Sequence, residues 1–181
     1  MKILCFGDSN TYGYDPRSFF GDRYEDRWPD LLTGFEVLNE GANGRIIPRN
    51  PYALRLLKEH GPVDIFLVML GTNDLLQGAT AKEAAERMEH FLTSLLPHCP
   101  NILLVSPPPM KRGAWVPTDA LVEGSLLLAD AYRSVADRLR IPFVDTRDWK
   151  IDLCFDGVHF TEEGHRSFAK KLQKTLDSDV T

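Results

Sequence analysis

Five short apolar runs, each closed by a glycine or a polar residue, constrain this chain more than any other feature. They are ILCF at 3–6, FEVLN at 35–39, IFLVML at 65–70, ILLV at 102–105 and FV at 143–144. The runs are nearly continuous and do not alternate apolar with polar. Strands of that kind are covered on both faces, as in a parallel sheet.

Helical spacing fills the stretches between them. Thr80 and Glu83 read as a capping box. Ala81, Ala84, Ala85, Met88, Leu92, Leu95 and Leu96 then keep one face, and Pro97 stops the helix. Residues 121–139 place Leu128, Ala129, Tyr132, Val135, Ala136 and Leu139 on one side. A last helix starts at Thr161, with Phe168, Ala169, Leu172 and Leu176 as its buried stripe. Early Glu162 and Glu163 and later Lys170, Lys171 and Lys174 suit the helix dipole. Strands alternating with helices predict an α/β chain, a three-layer α/β/α sandwich on a five-stranded parallel sheet. At 181 residues, with no linker or repeat, one domain over 1–181 is expected.

Composition excludes several classes. Hydrophobic residues make up 43%, too many for a disordered chain. No apolar run approaches the about 20 residues of a membrane-spanning helix. Net charge is −5, and the densest basic cluster is the pair Lys111-Arg112, so a nucleic-acid partner is not expected. Cys5, Cys99 and Cys154 have neither zinc-site nor disulfide-framework spacing. The stretch at 3–6 is too short for a signal-peptide core, so the expectation is a cytoplasmic protein with reduced thiols.

In folds of this kind the site lies beyond the carboxyl ends of the strands. Each strand end carries a candidate. After the first comes Gly7-Asp8-Ser9-Asn10, where a serine entering a helix turn is either an exposed nucleophile or an N-cap. After the second comes Gly41-Ala42-Asn43-Gly44-Arg45, a loop whose glycines let a backbone N–H face a ligand or simply make a turn. After the third comes Gly71-Thr72-Asn73-Asp74, where the Asn amide is an oxyanion donor or an Asx-turn. Before the last helix comes Asp156-Gly157-Val158-His159, a histidine for proton transfer with an aspartate to hold its other nitrogen. A metal reading recruiting His165 lacks compact ligand spacing.

Taken together and in this order, GDSN at 7–10, GANGR at 41–45, GTND at 71–74 and DGVH at 156–159 resemble the blocks of the SGNH, or GDSL, hydrolases. The resemblance implies the flavodoxin-like fold of that family and a serine esterase on short acyl esters. It makes Ser9 the nucleophile, His159 the general base and acid, and Asp156 its orienting partner. It puts the Ser9 N–H, the Gly44 N–H and the Asn73 side chain in the oxyanion hole. Asp8 and Asp74 are then supporting residues. The mechanism needs no metal and no cofactor, and the partner is a small-molecule acyl ester. The nucleophile elbow G-x-S-x-G of the common α/β-hydrolases is absent.

GDSNTYGYDP, RWPDLL, EGANGR, VMLGTNDLL and LLVSPPP resemble the small bacterial arylesterase and acyltransferase-like branch. That branch implies acyl transfer in some members, and homo-oligomers. Ile46-Ile47 departs from its usual Thr-Thr, which changes the expected acyl pocket. Substrate-binding candidates are Tyr12, beside Tyr14, Phe19 and Phe20, and Trp115 in the Pro-rich loop 107–117. That loop is a wall or lid, a surface connector, or an oligomer contact. Cys154 is expected as a packed small hydrophobe and Trp28 as packing, with His60, His90, His98 and His165 on solvated faces. A carbohydrate O-acetylesterase, a lysophospholipase or thioesterase, and a noncatalytic binding module are the competing readings. A nucleotide or flavin binder lacks its glycine motifs.

Overall fold

The computed structural model describes residues 1–18, 20–49, 52–99 and 101–179. One parallel sheet is built from β1 (Lys2–Gly7), β2 (Glu36–Gly41), β3 (Ile65–Met69), β4 (Ile102–Val105) and β5 (Phe143–Val144), in the order β2-β1-β3-β4-β5. The helices are α1 (Ser9–Tyr12), α2 (Tyr52–His60), α3 (Thr72–Leu76), α4 (Ala81–Leu95), α5 (Asp119–Leu139) and α6 (Glu162–Asp179).

The apolar runs are continuous because the sheet feeds two cores. Along β1, Leu4 and Phe6 enter a core shared with α2, α4 and α5, while Ile3 and Cys5 enter a second core with α6 and the 28–32 segment. β3 and β4 divide in the same way, Phe66 and Val68 against Leu67 and Met69, Ile102 and Leu104 against Leu103 and Val105. With successive side chains on opposite faces, a strand covered twice needs no polar position. The result is the α/β/α sandwich expected from the pattern.

β2 runs to Gly41, beyond the apolar run at 35–39. Its polar end still pairs, with Asn39, Glu40 and Gly41 opposite Cys5, Phe6 and Gly7. It lies at the sheet edge and is only partly buried, so its side chains need not be apolar. Gly41 has a separate reason: a Cβ there would lie 2.1 Å from the Tyr12 nitrogen, so α1 can rest on the strand only over a glycine.

The Thr80–Glu83 capping box forms as read, and α4 ends at Leu95. α2 was not apparent in the sequence. It is nine residues long and buries only Ala53 and Leu56 in its interior face, too little for a clear period.

One expectation is overturned. His165 is not on a solvated face but fully buried. It lies three residues before Phe168 and four before Ala169, on the buried stripe of α6. Its ring meets Tyr24 and Phe160, each at 5.3 Å, and its Nδ1 accepts the Trp28 N–H at 3.4 Å. Burial drives its pKa down to about 3, so it packs as a neutral ring. His60 is half-buried on Glu40, Nε2 to Oε1 2.6 Å. Trp28 packs on Phe168 as read.

Candidate active site

β1 ends at Gly7, and the chain turns at once into α1. Asp8 caps that turn, its Oδ1 accepting the Asn10 N–H at 3.0 Å. Ser9 is therefore the first residue past the cap, at the carboxyl edge of the sheet. Its Oγ lies 2.9 Å from His159 Nε2, across 150 residues of sequence. His159 Nδ1 lies 2.7 Å from Asp156 Oδ2.

Asp156 is fully buried and uses both oxygens. Oδ1 accepts the Val158 N–H at 2.9 Å and the His159 N–H at 3.0 Å, and Oδ2 takes the ring. Burial alone would raise its pKa. The bonds from the His159 ring, the His159 N–H and the Val158 N–H outweigh that and hold the carboxyl below its ordinary 3.8. An ionised carboxylate only accepts, so the ring proton sits on Nδ1 and the Nε2 lone pair faces Ser9.

The tight turn that makes this possible needs Gly157. Its φ is +82°, and a Cβ there would lie 2.1 Å from the Lys111 carbonyl oxygen. The 107–117 loop is laid along the histidine segment by backbone bonds, Lys111 N–H to the Gly157 carbonyl and Trp115 N–H to the Asp156 carbonyl, both at 3.0 Å.

The second and third blocks meet each other. Asn73 Nδ2 donates to the Arg45 carbonyl at 3.0 Å, which joins α3 to the loop that carries Gly44. Gly44 sits at φ +70°, open to solvent. Asp74 is fully buried and ties the same loop down, accepting the Ile47 N–H at 3.0 Å and pairing with Arg87 Nη1 at 2.9 Å. Arg45 folds back over the Phe6 ring at 4.3 Å and donates to the carbonyls of Gly7 and Glu40. Ala42 N–H also donates to the Gly7 carbonyl, at 3.1 Å. Thus the Gly44 loop is anchored to the strand end that carries Ser9.

Of the aromatic candidates, the structure brings Trp115 to the histidine. Its ring stands edge-on to His159 at 5.0 Å and is half exposed. Among the described residues, the other ring on His159 is Tyr14, at 4.8 Å. Tyr12 turns elsewhere, toward the Arg23 guanidinium at 5.7 Å. Phe20 is exposed, and Phe19 lies outside the described residues. Cys154 is half-buried beside Tyr24, and burial pushes its thiol up, away from a reactive thiolate.

Sequence reasoning missed two members. Asn10 bonds the histidine segment, and Arg87 pairs with Asp74 from another helix. Asn10 at least lay inside the GDSN block; Arg87 gave no local signal. Among the described residues, no group of three or more His, Cys, Asp or Glu could hold a metal ion. No described helix is long and apolar enough to cross a membrane.

Asp8 provides a test of the local electrostatics. Burial raises its pKa to about 6, against lowering contributions from the Asn10 N–H, His159 and Arg45. A group that binds its proton more tightly when folded loses stability as pH rises from its unfolded value through its folded one. Asp8→Asn keeps the cap acceptor and carries no charge. Its unfolding free energy should exceed wild type by on the order of 3 kcal/mol at pH 8, with the gap closing near pH 4. Urea midpoints at the two pH values check this, and an equal gap at both would refute it.

The chain is similar to known proteins over nearly its whole length. A carbohydrate acetylesterase family member from Sinorhizobium meliloti is 31% identical, with TM-score 0.83 over 97% of this chain and 96% of that one. The native aryl esterase of M. smegmatis is 29% identical, with TM-score 0.83 over 98% of each chain. Est24, a carbohydrate acetylesterase from Sinorhizobium meliloti, is 26% identical, with TM-score 0.80 over 98% of each. No curated protein sequence matches significantly. The profile of the GDSL-like lipase/acylhydrolase family matches residues 5–167, from β1 into α6. A match of that extent includes all four blocks, so the chain belongs to the GDSL-like lipase/acylhydrolase family and is a carboxylic ester hydrolase.

Proposed function

We propose that this protein hydrolyses short acyl esters through Ser9, His159 and Asp156. The observation that carries the reading is the unbroken series Ser9 Oγ, His159 Nε2, His159 Nδ1, Asp156 Oδ2, at 2.9 and 2.7 Å. Ser9 attacks the ester carbonyl as His159 takes its proton, and Asp156 stabilises the imidazolium. The oxyanion is held by the Ser9 and Gly44 N–H groups and by Asn73, whose second amide proton is left after its bond to the Arg45 carbonyl. Asp8 and Asp74 support this arrangement through the cap and the Ile47 and Arg87 bonds. His159 then protonates the departing alcohol and activates the water that releases the acid.

The leaving oxygen must touch His159, so the alcohol lies beside Tyr14 and Trp115. An aryl ring, or the apolar C–H face of a sugar, suits those walls, in keeping with the names of the aryl esterase and carbohydrate acetylesterase relatives. An open cleft of about 500 Å³ runs along the Gly44 loop, lined by Gly44, Arg45, Ile46, Ile47, Pro48 and Tyr52, and shares Gly44 with the proposed oxyanion hole. A second alcohol on the same aromatic walls would accept the acyl group in place of water.

Turnover of p-nitrophenyl esters from acetate to octanoate, with a fluorophosphonate label mapped by mass spectrometry, tests the reading. Acetate is expected to be fastest, and the label to sit on Ser9. A rate climbing toward octanoate would shift the substrate to lipid or thioesters. A label elsewhere, or no turnover, would remove Ser9 as nucleophile.

A further inference from the structure

We infer that Asn10 is a positioning residue, one that holds the His159 segment in register on Ser9; the inference rests on the Ser9–His159 reading above. Asn10 is buried, and its amide makes two bonds to one stretch of backbone. Nδ2 donates to the Val158 carbonyl at 3.1 Å, and Oδ1 accepts the Phe160 N–H at 2.9 Å. The residue between those two partners is His159. The clip spans 148 and 150 residues of sequence, and at its other end Asn10 is peptide-bonded to Ser9.

The rest of the histidine backbone is held by its own segment. His159 N–H goes to Asp156 Oδ1, and its carbonyl accepts the Cys154 N–H at 2.8 Å. Those bonds shape the loop internally but do not say where it sits relative to β1. Asn10 supplies that placement. The 107–117 loop also holds this segment, through the Lys111 and Trp115 N–H groups, but those bonds fix it to the loop after β4 and not to the Ser9 turn. The Ser9 Oγ to His159 Nε2 bond does reach that turn, but it breaks in every cycle as the proton moves. A clip beside it keeps the distance through the steps in which the serine is acylated. Both backbone partners are buried, so their loss leaves a donor and an acceptor unpaired, which favours a shifted loop over an empty site.

The test compares Asn10→Ala with wild type on p-nitrophenyl acetate. A small misplacement of catalytic groups costs about 10²-fold in rate, so kcat should fall by about that factor with KM within about threefold. Fluorophosphonate labelling of Ser9 should slow in parallel. Thr80→Ala, which removes the α4 cap far from the site, is the destabilised control and should keep kcat within about twofold.

Asn10→Asp gives a readout that a merely structural role would not move. The introduced carboxyl still accepts from the Phe160 N–H, but only its protonated form can donate to the Val158 carbonyl. The charged groups around it are Asp8, Asp156 and His159, with Arg45 and Asp74 beyond Asp8. Its kcat relative to Asn10→Ala should rise about fivefold or more from pH 8 to pH 5, as the carboxyl takes up its proton. If Asn10→Ala does not fold, the same rise is read against wild type.

Wild type labelled at Ser9, with Asn10→Ala within about threefold of its kcat, would overturn the positioning role alone. A flat Asn10→Asp ratio would do the same. Wild type not labelled at Ser9 would overturn the parent reading and this one with it.

Discussion

Ser9→Ala should lower kcat on p-nitrophenyl acetate by about 10⁴-fold or more, the range found when a serine nucleophile is removed from other hydrolases. The change deletes one oxygen at a buried position. His159 and Asp156 keep their mutual bond, and the Asn73, Asp74 and Arg45 bonds around the Gly44 loop do not involve the serine hydroxyl. The fold should therefore survive, with stability changed by about 1 kcal/mol for the lost bond. Binding and the oxyanion donors would remain, so a residual rate above that of water is expected. A loss below about 100-fold would mean that the ester is opened by another group. Circular dichroism alongside the kinetics separates this outcome from unfolding.

Asp156→Asn should cost about 10³–10⁴-fold in kcat, through the histidine tautomer. Asp156 accepts three bonds, two from backbone N–H groups on Oδ1 and one from the His159 ring on Oδ2. An amide has a single oxygen. The paired Val158 and His159 N–H groups claim it, which turns the NH₂ toward Nδ1. Nδ1 must then accept, the ring proton moves to Nε2, and an N–H points at Ser9 where a lone pair is needed. Geometry stays near native while the proton acceptor disappears. The pH dependence follows from the same bonds. Because Asp156 is held below its ordinary 3.8, its contribution to stability is complete above that value and is lost as pH falls below it. The Asn variant should lack that acid-side loss. Rate measurements and acid-unfolding midpoints on the two proteins check both halves. A variant retaining more than about a tenth of wild-type kcat would remove Asp156 from the proposed mechanism.

Strands β1, β3, β4 and β5 were legible because a strand covered twice must be apolar throughout. Each of the four blocks alone also reads as a cap or a turn; they were legible because together, in one order, they resemble the blocks of the family. The aromatic neighbours were harder. Tyr12 and Tyr14 are two apart in sequence, and the turn at Gly13, φ 88°, decides which ring reaches His159. No local pattern tells that. The Asp74–Arg87 pair and the Asn10 clip are tertiary, made by segments that periodicity treats one at a time. His165 was misread because a histidine was assumed polar, although its spacing from Phe168 placed it on the buried stripe.

The separation of the clip's two ends bears on how the chain becomes active during synthesis. β1 pairs with β2 and β3, all contributed by the first 69 residues, so one side of the sheet can assemble while the rest is still being made. Ser9 stands at its edge from that moment. Its hydrogen-bond partner His159 arrives 150 residues later, with the segment that leads into the last helix. Contacts this distant in sequence form late, after the loop-closure cost between them has been met. On the proposed mechanism, a nascent chain would carry Ser9 unactivated, and hydrolysis would begin only once the Ser9 turn and the His159 segment have come together.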